Sequence, residues 1–222
     1  MDPRKSLNKQ QTELRRALSS SKQHEQAIQL FLKHHAMLHS ADVAQIETWS
    51  FEDHVLNDMT EEQVRRIPRN CEHSVAWCVW HLARIEDVAM NLLVAGAPQI
   101  MRQDDWLDRM GITARDTGNE MDAGGIANLS AAIDIAALRA YRLAVGRRTR
   151  EIVKQLEAEA LKRAVEPARL QQVMDEGAVV EAAAYITDYW GRRNIAGLLL
   201  MPATRHNIVH LNEALKLKQR RR

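Results

Sequence analysis

The chain has 222 residues, 45% hydrophobic and 27% charged, with a formal net charge of +2. That is enough for one domain with a sizeable core and short for two. Charge this close to balance excludes a general polyanion-binding character outside the basic end Lys216-Leu217-Lys218-Gln219-Arg220-Arg221-Arg222, which equally suits a solvated helix terminus and is accompanied by no nucleic-acid reader motif.

Only 9 Gly and 5 Pro interrupt a chain rich in Ala, Leu, Glu, Arg and Gln and poor in aromatics, so helix is favoured over sheet. No apolar run reaches the ~18–20 residues that span a bilayer. The N-terminus, MDPRKSLNKQQTELRRALSSSKQ, lacks the apolar core of a signal peptide. Cys71 and Cys78 form neither a C-x-x-C pair nor a disulfide framework, as expected of a reducing, cytoplasmic location.

In chain order, residues 1–22 read as a polar, flexible or partly helical arm, and 23–222 as one helical domain. A first long helix is expected from Gln23 to Thr48, with Ile28, Phe31, His35, Leu38 and Asp42 on one face. Thr60 is placed to cap a short helix ending before Pro68. A second long helix should run from Ser74 to Ala95, with Val75, Cys78, Leu82, Ile85, Ala89 and Leu92 as its seam, and stop at Gly96-Ala97-Pro98. The connection Pro98–Asn128, glycine-rich with a short helix over Asp104–Met110, has the length of a segment that covers a site. A third long helix is predicted over Leu129–Glu159. A connection with Pro167 and Gly177 follows, then a last helix over Gly191–Lys218 that Pro202 kinks or splits. Four long helices and two long connections fit an all-α four-helix bundle with crossovers.

His206 and His210 form H-x-x-x-H on the last helix. Four residues turn a helix by about 400°, so both imidazoles stack on one face and can reach one metal ion at ~2.0–2.1 Å. Ile195, Leu199, Val209 and Glu213 share that face, which points the pair toward the core. The opposite face, Ile208, Leu211 and Leu215, needs a second apolar cover, which the N-terminal arm, a connection or a second subunit could supply, with a homodimer favoured. His81 borders the seam of the second helix and is the candidate third ligand. His35-x-x-x-His39 is a rival pair, and Cys78, one turn before His81, a further possible ligand that suits a buried hydrophobe better. Trp77, Trp80, Trp106 and Trp190 read as core or pocket walls.

The stretch His73-Ser74-Val75-Ala76-Trp77-Cys78-Val79-Trp80-His81-Leu82-Ala83-Arg84-Ile85-Glu86-Asp87 resembles the second-helix motif of the DinB/YfiT-like metalloenzyme family. Arg205-His206-Asn207-Ile208-Val209-His210-Leu211-Asn212-Glu213 resembles that family's last-helix H-x-x-x-H, in the expected chain order. The resemblance implies an up-down-down-up four-helix bundle, often dimeric, holding zinc, nickel or a related divalent ion on His81, His206 and His210. It also implies a small-molecule substrate and, in some relatives, a low-molecular-weight thiol as co-substrate. The long second connection and the extra histidines of the first helix depart from the minimal pattern.

Three imidazoles would leave an open coordination position, the mark of a catalytic ion. Glu86, Asp87, Asn207 and Glu213 are candidates to orient imidazoles or move protons, each also explicable as a salt-bridge residue. The alternative is a non-catalytic metal-binding or interaction bundle, in which a fourth side chain such as His35 would close the site.

Overall fold

The computed structural model describes residues 3–45 and 48–220. Met1 and Asp2 of the expected arm, Ile46 and Glu47 of the expected first helix, and Arg221 and Arg222 of the basic end lie outside the described residues. The fold is all-helical. Among the described residues, extended backbone pairs only at an isolated antiparallel bridge between Ala164 and Asn194.

Helix α1 spans Arg4–Leu18, within the stretch expected to be a flexible or partly helical arm. Its polar majority hides a stripe, Leu7, Gln11, Leu14, Ala17 and Leu18, that is buried, and the helix packs along α2, His24–Leu38. The stripe recurs at helical spacing, so burial of a few leucines outweighs a strongly polar composition. Gln11 donates from Nε2 to the Leu200 carbonyl at 2.8 Å, tying α1 to the far end of the chain.

Helix α2 ends ten residues before the predicted Thr48. His39 is extended, and Ser40 caps a separate short helix, Ala41–Ala44. Ile28, Phe31, His35 and Leu38 are buried as expected, whereas Asp42, past the break, is exposed. The polar stretch that follows holds a helix that periodicity did not reveal, Phe51–Leu56, capped by Ser50. It also holds the expected one at Glu61–Arg65, with a reciprocal Thr60–Gln63 capping box.

Helix α3, Val75–Asp87, continues through a π-helical stretch, Val88–Ala95, to left-handed Gly96. Every residue from 74 to 94 is buried, as expected of a helix apolar on all sides at the centre of a core. Its ionisable residues are paired. Arg84 donates to Asp87 Oδ2 at 3.1 Å, to the Tyr141 hydroxyl at 2.9 Å and to the Arg115 carbonyl at 2.6 Å. Asp87 accepts from the backbone N–H groups of Ile100 and Met101 at 2.8 and 2.9 Å. This pair clamps the long connection to the core, so Asp87 is structural and does not reach the candidate ligands.

The third predicted helix is two. Ala123–Ala132 stops at extended Ile133, and Asp134 caps α4, Ile135–Lys154, through the Ala137 N–H. Leu138, Tyr141, Val145 and Ile152 form the buried stripe of α4.

The last predicted helix is also interrupted. Gly191 closes Tyr185–Gly191, Asn194 caps Ile195–Leu200, and Pro202 sits in a π-helical turn, Met201–Arg205, before α5, His206–Gln219. Proline lacks the N–H for a regular turn, which is why the break falls there. Ile208, Leu211 and Leu215 are buried inside the chain, α5 packing against Phe51–Leu56 as well as α3. That face therefore finds its cover without a second subunit. Val209, expected on the inward face, is 44% exposed, and His206 and His210 are half-buried. The histidine pair stands at the rim of the core, partly open to solvent.

Candidate metal centre

His81 comes from the middle of α3, and His206 and His210 from the first turns of α5, which packs on α3. One ring nitrogen from each of the three lies within 4.8 Å of the others. His81 Nε2 and His206 Nε2 face each other at 3.2 Å, a spacing that suits two ligands of one ion at ~2.0–2.1 Å.

The opposite ring nitrogens explain the orientation. His81 Nδ1 donates to the Thr117 carbonyl, an oxygen that can only accept. His210 Nδ1 donates to Glu213 Oε2 at 2.8 Å. Both protons are thus held on Nδ1, leaving the Nε2 lone pairs free, the arrangement that metal-ligating histidines need. Glu213 also accepts from His73 Nδ1 at 2.7 Å. Burial would raise its carboxyl, but the bonds from His210 and His73 hold it down to about 2. His73, Trp77 and His81 stack in a column, with centroid separations of 3.7 and 4.7 Å, which fixes the His81 ring further.

Burial, then the neighbouring His210, lowers His81 from 6.5 to about 3. Burial, then His81 and His210, takes His206 well below its ordinary value. Both rings are therefore neutral near pH 7, the form that binds metal.

His35, His39 and Glu86 form a second, fully buried group. Here the polarity is reversed. His35 Nε2 and His39 Nε2 donate to the two Glu86 oxygens at 2.9 and 3.0 Å, while both Nδ1 atoms are buried without a partner. Metal on Nε2 would strand two Nδ1–H donors with no acceptor, so this pair suits hydrogen bonding better than ligation. Asn207 adds a bond to Glu86 Oε2 at 3.1 Å and accepts from Arg142 at 2.7 Å. Arg142 in turn donates to Glu52 at 2.6 Å. The network locks α2, α3 and α4 to α5 one residue from His206. Glu86 and Asn207, considered above as imidazole-orienting groups, act through this frame and make no hydrogen bond to the three histidines. Cys78, near His210 and Glu213, is fully buried in the apolar core, and burial and Glu213 push its thiol well up.

The sequence profile of the DinB superfamily matches residues 47–214, a span holding all three histidines. The chain belongs to the DinB superfamily. No curated protein matches it. The DinB match begins after α2, so His34, His35 and His39 lie outside it. No described helix of this DinB chain is long and apolar enough to cross a membrane.

Beside His206 opens a cavity of about 270 Å³, walled by Ile85, Ile186, Tyr189, Trp190 and Pro202. Trp190 is thus a pocket wall, and Trp106 packs on Tyr141 while lining a separate opening.

Two site residues were missed by the sequence reading, Thr117 and Gly118. The only signal was that the long connection should cover a site, because a backbone carbonyl leaves no trace in side-chain patterns. Gly118 has φ +79°, and a Cβ there would collide with the Trp80 ring. Gly118→Ala therefore carries both backbone strain and a clash, and should pull the Thr117 carbonyl away from His81. The expected outcome is a stability loss of about 1–3 kcal/mol in urea denaturation. Zinc affinity should fall about ten- to a hundredfold in calorimetric titration. Unchanged zinc affinity would show that the carbonyl does not orient His81.

Proposed function

We propose that this DinB-superfamily chain is a metalloenzyme acting on a small molecule, with one divalent ion on His81, His206 and His210. In this reading α2, α3, α4 and α5 form an up-down-down-up four-helix bundle joined by long crossovers. The observation that carries it is the anchoring of His81 and His210 through Nδ1, which aims their Nε2 lone pairs at a shared point beside a cavity. The residues fit a zinc- or nickel-like ion: three imidazole nitrogen donors, two with their second nitrogen already satisfied. When bound, the ion supplies Lewis-acid chemistry and an open coordination position for a substrate or a low-molecular-weight thiol. Thr117 and Glu213 hold the ligand protons, Trp77 excludes water from one side of His81, and the cavity positions the substrate. Three protein ligands without a fourth favour this reading over a closed structural ion, for which His35 was the candidate. His35 is instead engaged with Glu86.

The test is metal stoichiometry of the full chain, stripped by a chelator and titrated with zinc and nickel. One equivalent per chain is expected. Uptake should be lost in His206→Ala and retained in a His35→Gln, His39→Gln double variant. Uptake that survives His206→Ala but disappears in the double variant would move the ion to the Glu86 group and overturn the proposal.

A further inference from the structure

The cavity beside His206 differs in chemistry from another large opening in the fold. That one, about 380 Å³, is lined by Arg84, Arg102, Asp105, Asp108, Arg115 and Glu176 among others, and contains none of the three histidines. The His206 cavity is lined by no Asp, Glu, Lys or Arg. Its polar groups are His206, Asn119 and the two tyrosines, 185 and 189. The Tyr185 hydroxyl donates to Glu120 at 2.9 Å. Asn119 Oδ1 accepts from the Thr117 hydroxyl at 2.8 Å, so this wall residue is bonded to the same residue whose carbonyl anchors His81. His206 is also the one imidazole of the three whose Nδ1 is buried without a protein partner.

We propose that this cavity receives the body of the substrate, and that the substrate is therefore a small molecule with one metal-seeking atom on an uncharged aromatic or aliphatic body. The inference rests on the metal reading above and narrows it to a substrate class. About 270 Å³ is room for roughly nine water-sized volumes, the scale of a benzyl group with a short substituent. Aromatic and aliphatic walls favour such a body by removing its apolar surface from water. An ionised body would lose part of its hydration there, and none of the residues lining the cavity carries a charge to offset the cost. Multiply charged molecules are thereby disfavoured, whatever atom they present to the ion.

The experiment uses the full chain loaded with cobalt and three thiols that anchor through the same sulfur. These are benzyl mercaptan, glutathione with its charged body, and 2-mercaptoethanol as a baseline with almost no body. Binding is read from the sulfur-to-cobalt charge-transfer absorption. Benzyl mercaptan should bind about ten- to a hundredfold more tightly than 2-mercaptoethanol, as burial of a phenyl group predicts, and glutathione should gain nothing over it. Met201→Glu, which puts a carboxylate on the cavity wall, should cut the benzyl advantage at least tenfold while the cobalt ligand-field bands stay unchanged. Should Met201→Glu not fold, Tyr185→Glu makes the same comparison, because Tyr185 is 54% exposed and tolerates a charge. Glutathione binding as tightly as benzyl mercaptan, or a benzyl advantage that survives both variants, overturns the assignment. Failure to take up cobalt would instead strike the metal reading. The cavity would then be judged by saturation transfer from the protein to benzyl alcohol, whose absence overturns this proposal separately.

Discussion

Replacing His210 by Ala is expected to weaken zinc binding by about two to three orders of magnitude and to leave the fold intact. A structural zinc site of four ligands is worth about 10–16 kcal/mol, so one ligand accounts for about 3 kcal/mol or somewhat more. The fold should survive because the residue lies at the rim. His210 is half-buried, whereas Leu211, Ala214 and Leu215 hold α5 to the core and are untouched by the change. Far-ultraviolet circular dichroism and a urea midpoint, measured beside zinc titration, check both halves. A variant that loses its helical signal together with its zinc would make the ion a structural staple and remove the main support for a catalytic site.

Acid should destabilise the metal-free protein at a pH where most carboxylates are still ionised. Burial, helped by nearby His35, lowers His34 to about 4. Burial, opposed by Glu86, lowers His39 to about 3, and burial with His210 lowers His81 to about 3. The unfolded chain takes up a proton on each as pH falls through 6.5, while the folded chain does not until the lower values are reached. The unfolded state thus binds more protons across that window, and stability is complete above it and falls as pH drops through it. Each group contributes about 1.4 kcal/mol per pH unit, so the three together approach about 4. Between pH 6.5 and 5 this removes about 6 kcal/mol of a total of about 5–15 kcal/mol, so the urea midpoint should fall steeply across that range. Glu213, held down to about 2, adds a separate loss only below its unfolded value. Urea denaturation in chelator at about pH 7, 6 and 5 measures the slope. A midpoint unchanged between pH 7 and 5 would mean that the buried imidazoles take up protons as readily folded as unfolded.

What the chain alone determined are the features written in local spacing. The all-helical class follows from scarce Gly and Pro and from long apolar periods. The cap at Thr60 and the interruption at Pro202 were legible because capping and proline chemistry act within a few residues. Four residues between His206 and His210 place two imidazoles on one face wherever the helix packs. Tertiary structure decided the rest. The breaks at His39 and Asp134 run against continuous apolar patterns, because local caps at Ser40 and Asp134 and the packing of neighbouring helices override propensity. Packing also set how deep the histidine pair sits, since the inward face of α5 turns on which helices surround it. What sets His81 apart from His35 and His39 is what the second ring nitrogen meets. That is a carbonyl from a loop 36 residues away for His81, and no partner for His35 or His39. No pattern along the chain encodes such a contact, because it exists only once the long connection has folded back over α3.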